Sequence, residues 1–187
     1  MTATTSRPRR LITAAATIAG VASAALLATA APSMAASAAK VHPGTYKTWR
    51  AAQHAAGFTL LKPGSTGGLK RDGGVRVLAP CGVPNNYAVV IAHYGSQSAS
   101  HPGKQYTLFQ GGECYNIGEA RTLGHPKVDG VKATLLGVCD LDGAPSCHSK
   151  HLWLYVTWTK HDRFYQVESY DRSRSQVIAF ARGLRKV

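Results

Sequence analysis

The chain has 187 residues, 44% of them hydrophobic and 8% aromatic, which is enough for one domain with a packed core and too little for two comfortable ones. That apolar share excludes a wholly disordered chain. A formal net charge of +13 and a pI near 9.9 bias the surface toward polyanions such as wall polymers, anionic lipid or nucleic acid.

Residues 1–38 read as an export signal that is removed. Arg7, Arg9 and Arg10 form its basic start, Leu11 to Ala31 is an uncharged Ala-rich core, and small-residue cleavage sites follow at Ser33-Met34-Ala35 and Ala36-Ser37-Ala38. Pro32 breaks the apolar run and no stop-transfer charges follow, so a removed leader is favoured over a retained membrane helix. Arg9-Arg10 permits the twin-arginine route, but the rest of that motif is poor and the general secretory route is preferred. Losing three arginines with the leader lowers the charge from +13 to +10. What remains is one secreted domain over 39–187, with no membrane attachment.

Gly44 to Gly57 carries a helical stripe of Tyr46, Trp49, Gln53 and Ala56, with Gly57 placed to end it in a left-handed conformation. The glycines between 64 and 74 lack the spacing of a phosphate-binding loop and read as a plain connection. Strands are expected at Val75 to Leu78, Tyr87 to Tyr94, Gln105 to Gln110 and Val131 to Cys139. The turns between them come at the short intervals of an antiparallel sheet. In the strand from Tyr87, both faces carry apolar groups, which places it inside the sheet.

The strongest fold signal is Leu152 to Leu184. Leu152, Leu154, Val156 and Trp158 alternate with Trp153, Tyr155, Thr157 and Thr159. Beyond a Lys160-His161-Asp162-Arg163 turn, Tyr165 and Val167 rejoin the first face, while Phe164, Gln166, Glu168 and Tyr170 lie on the other. Ser173 is a good N-cap for a last helix with Val177, Phe180, Ala181 and Leu184 buried, and Arg182, Arg185 and Lys186 complement its C-terminus. The expected fold is α+β: a single curved antiparallel sheet of about five to seven strands, with an N-terminal and a C-terminal helix on one face and two disulfides.

Four cysteines at 81, 114, 139 and 147 in an exported chain read as a disulfide framework with three possible pairings. The short 139–147 loop can double back, which favours Cys139 with Cys147 and leaves Cys81 with Cys114. The rival metal reading, drawing on Cys139, Cys147, His148 and His151, does not match the paired spacing of structural zinc, so no metal is expected. No cofactor motif is present, and no GxSxG, SxxK or HExxH.

Several stretches resemble a group of small extracytoplasmic bacterial domains of unknown function found in anti-sigma-factor-related and lipoprotein-sorting-like proteins. They are Ala55 to Pro63, Val89 to Tyr94, Tyr106 to Gln110, Val128 to Ala133 and Leu154 to Leu184. The resemblance implies a curved antiparallel sheet with helices on one face and a binding or sensing role outside the cytoplasm. The four cysteines and the lack of an anchor depart from that group. The Ala-rich leader also looks like that of an actinobacterial exported protein.

The resulting expectation is a non-enzymatic binding module for an unknown protein or an anionic envelope polymer, with no specific nucleic-acid site. Trp153 and Tyr155, joined by Phe109 or Tyr94, would form its aromatic sheet face. The alternative is a small secreted hydrolase using Glu113 and Glu119, or the His148/His151 region.

Overall fold

The computed structural model describes residues 41–81, 87–96, 103–114, 117–140, 145–149 and 151–187. The stretch read as an export signal, residues 1–38, together with His101 and Pro102 of their turn and the tip of the 139–147 loop, lies outside the described residues. The elements in chain order are β1 (Gly44–Tyr46), α1 (Trp49–Ala56), β2 (Leu61–Pro63), β3 (Arg71–Leu78), β4 (Val89–Gly95), β5 (Gln105–Gly111) and β6 (Arg121–Gly124). They continue with β7 (Lys127–Val128), β8 (Val131–Lys132), β9 (Thr134–Val138), β10 (Trp153–Lys160), β11 (Arg163–Tyr170), α2 (Arg174–Arg182) and β12 (Leu184–Lys186).

The alternation at Trp153–Tyr170 produces its hairpin with Val156 opposite Val167 and Trp158 opposite Tyr165. His161 and Asp162 both take positive φ, 50° and 58°, the two-residue turn whose twist suits a hairpin. Around it assembles an antiparallel sheet in the order β1-β3-β4-β5-β11-β10-β9-β6. Eight strands exceed the five to seven expected because two very short edge strands were illegible. β1 sits within the stripe read as helix, and β6 follows a loop without strand signal. Residues 131–139 also divide, because Ala133 turns aside to donate its N–H to the Pro126 carbonyl, at 2.8 Å.

The main core contains Val75, Val77, Val90, Ala92, Leu108, Leu154, Val156 and Val167 from the sheet, with Ala52, Ala55 and Ala56 of α1 and Val177, Phe180 and Ala181 of α2. Helix α1 begins at Trp49, not Gly44, because the Thr48 hydroxyl caps the Ala51 N–H. Gly57 ends it at φ 76°, donating to the Gln53 carbonyl. Ser173 caps α2 in a reciprocal box with Gln176. That helix stops at Arg182, so Leu184, Arg185 and Lys186 do not extend it. They form β12, with Lys186 opposite Leu61 of β2.

Phe180 fastens α2 to the sheet, stacking on Tyr106 at 4.1 Å between centroids and meeting the edge of Tyr94 at 6.0 Å. Gln110, fully buried, clamps β2. Its Nε2 donates to the Leu61 carbonyl at 2.8 Å and its Oε1 accepts from the Leu61 N–H at 2.7 Å. At the end of β5, Gly111 has φ 109°, and a Cβ there would collide with the Ala88 carbonyl, so the strand can turn only as glycine.

Cys81 pairs with Cys114 (Cα–Cα 5.7 Å) and Cys139 with Cys147 (4.9 Å), as the loop lengths predict. Among the described residues, no helix is long and apolar enough to cross a membrane.

Candidate functional site

The second face of the sheet lies opposite the main core. Strand pairing arranges its side chains in rows across β10, β11, β5 and β4. The first row is Trp153, Tyr170 and Gln105; the second is Tyr155, Glu168, Thr107 and His93; the third is Thr157, Gln166, Phe109 and Ile91. Neighbours within a row stand about 5 Å apart, the strand spacing. Each row is built from segments distant in sequence but adjacent in the sheet.

Apolar packing does not explain this face. Among the described residues its apolar cluster is Val89, Ile91 and Phe109, with Leu78 and Cys114 packed against it. Gln105, Thr107 and Gln166 are buried, and the amide oxygens of Gln105 and Gln166 have no hydrogen-bond partner among the described residues. A buried polar atom left unpaired costs about 1–3 kcal/mol.

Trp153, Tyr155 and Tyr170 are half-buried and form an aromatic lip, with the Trp153 and Tyr170 rings 5.0 Å apart and tilted by 48°. Below the lip, burial raises the Glu168 carboxyl above its usual range. Burial, with a smaller contribution from Glu168, pushes the Tyr155 phenol up to about 12. Burial and then the Arg76 guanidinium lower His93, against a smaller opposing effect of Asp72. Its Nδ1 lies 2.9 Å from the Thr107 hydroxyl. At neutral pH the row therefore presents a phenol, a poorly solvated carboxyl, a hydroxyl and an uncharged imidazole. Such a set can both donate and accept hydrogen bonds beside the rings.

Of the residues singled out in the sequence, Trp153, Tyr155 and Phe109 share this face. Phe109 is buried, beside the Cys81–Cys114 bridge. Tyr94 does not join them: the uninterrupted β4–β5 register turns it to the main core, where it packs on Phe180. Glu113 and Glu119 are exposed. His148 and His151 line a separate cavity beside α2. The sulfurs of Cys139 and Cys147 do lie close to the Asp140 carboxylate, but they are bonded to each other.

Sequence reasoning placed Gln166, Glu168 and Tyr170 on the Trp153 side of the hairpin and gave them no role; it missed Gln105, Thr107 and His93. The available signal was the run of polar residues at alternate positions of strands whose other side is apolar. Compared with protein-family models, curated proteins and solved structures, the chain matches none.

Proposed function

We propose that this protein is an exported, non-enzymatic binding module whose second sheet face holds a polyhydroxylated envelope polymer. The observation that carries the reading is that two buried amide oxygens without a hydrogen-bond partner among the described residues, those of Gln105 and Gln166, share one sheet face with the rings of Trp153, Tyr155 and Tyr170. A sugar residue offers apolar faces to stack on the rings and hydroxyl donors for the amide oxygens. Export is part of the reading. It is supported by the leader pattern, by two disulfides, which persist in oxidising compartments, and by the resemblance to extracytoplasmic domains. The basic excess would concentrate the module near an anionic envelope.

The test is tryptophan fluorescence during titration with soluble cell-wall glycan fragments, comparing the native chain with Trp153→Phe and Trp153→Ala. Trp158 is buried in the main core and serves as an internal reference. The expected result is a saturable fluorescence change that disappears in Trp153→Phe, with affinity, read by calorimetry because that reporter is gone, lowered about tenfold or more in Trp153→Ala. A titration that leaves Trp153 emission and its acrylamide quenching unchanged would overturn the proposal.

A further inference from the structure

Beside the N-terminal end of α2, on the far side of Leu154 from the sheet rows described above, lies a cavity of about 610 Å³. Lys104, Arg172, Arg174, His148 and His151 line it. Among the described residues, the one carboxylate on its wall is Asp171, whose Oδ1 lies 3.0 Å from His151 Nδ1. Among the described residues, no carboxylate pairs with Lys104, Arg172 or Arg174. Lys104 and Arg174 thus bring charge without a carboxylate partner among the described residues to this cavity, and Arg172 stands between it and a smaller neighbouring cavity that Tyr106 lines.

Two of these side chains are held in place. Arg172 lies over the Tyr106 ring, 5.0 Å from its centroid, and its Nε is shut from solvent without a hydrogen-bond partner. Arg174 donates from Nη2 to the Cys147 carbonyl at 3.1 Å, so the Cys139–Cys147 bridge helps to fix one wall. The first turn of α2 is already capped by the Ser173 hydroxyl and the Gln176 amide. The positive character of the cavity therefore comes from side chains and not from the helix end.

We propose that this cavity binds an organic phosphate. Guanidinium groups present parallel N–H donors that match two oxygens of a phosphate, and Lys104 adds a point charge. The volume exceeds what inorganic phosphate needs and falls in the range of small-molecule sites. Leu152 and Leu154 supply an apolar wall for the organic part. The proposal is independent of the sheet-face reading, because none of its residues belongs to those rows.

The experiment is calorimetric titration of the full domain at low salt with inorganic phosphate, glycerol 3-phosphate and a glycerophosphodiester, together with imidazole shifts of His148 and His151 by nuclear magnetic resonance. Saturable binding of an organic phosphate is expected, tighter than inorganic phosphate. Arg174→Gln should weaken it about tenfold, Arg172→Lys should fail to restore what Arg172→Gln loses, and Trp153→Ala should leave it unchanged. Preference for the monoester would mark a free metabolite as the source, and preference for the diester a phosphate-linked polymer; either supports the site. Arg174 is exposed, so Arg174→Gln keeps the test valid if Arg172 variants fold poorly. No saturable binding by any of the three probes, or binding that Arg174→Gln leaves intact without movement of the histidine resonances, would overturn the proposal.

Discussion

Glu168 is a single side chain held in the sheet at the expense of the fold. Its carboxyl is raised above the value of 4.5 that it has when unfolded, because burial penalises the ionised form. The native state therefore holds its proton more tightly than the unfolded state does. As pH rises from the unfolded value through the raised folded one, stability is lost, and at neutral pH the ionised group is a net liability. Glu168→Gln should accordingly raise the melting temperature at pH 7 and bring no gain at pH 3.5, below both values. Equal effects at the two pH values would show that the gain is packing and not ionisation. Arg163 is the opposite case. A cation that looks like part of a scattered basic surface in the sequence lies over two rings, 5.1 Å from Phe58 and 5.3 Å from Tyr87. The basic excess is thus partly structural.

Among the elements, those stabilised by neighbours along the chain were legible and those stabilised from afar were not. The β10–β11 hairpin could be read in full because its period, turn and register are local. The N-cap of α2, Ser173, was also readable. Strands β1, β2 and β12 have three residues each, too few to show a period, and exist because a partner is present. β2 depends on the Gln110 clamp. Gln110→Leu should leave the Leu61 N–H and carbonyl without their side-chain partner and cost about 1–3 kcal/mol. Denaturant unfolding would measure the loss, and hydrogen exchange should rise first in 61–63 and 184–186. Uniform loss of protection across the sheet would instead indicate a general packing defect.

In the whole molecule, the two disulfides close loops of different size. The 33-residue separation of Cys81 and Cys114 should contribute about 3.5–4 kcal/mol and the 8-residue separation of Cys139 and Cys147 about 2.5 kcal/mol through the unfolded chain. Replacing each pair by serine should lower the urea midpoint in that order, and the reverse order would show that native contacts outweigh chain entropy. Loss of the Cys139–Cys147 bridge should additionally weaken the phosphate binding proposed for the cavity beside α2, through the Cys147 carbonyl that receives Arg174.

From its own pattern the sequence determined the antiparallel α+β class, the central hairpin and the start of the last helix, and favoured the observed pairing of the cysteines, because alternation, capping and loop length act over a few residues. The tertiary structure alone decided the strand order, the edge strands, the removal of Tyr94 from the aromatic face and the two candidate sites. β5 and β11 lie far apart in the chain, and only their pairing brings Gln105 beside Tyr170 and Thr107 beside Glu168. Likewise, Lys104 meets Arg172 and Arg174 at one cavity only after the sheet has closed. Sites assembled across non-local pairings leave no linear motif, since the spacing that matters to their chemistry is measured through space.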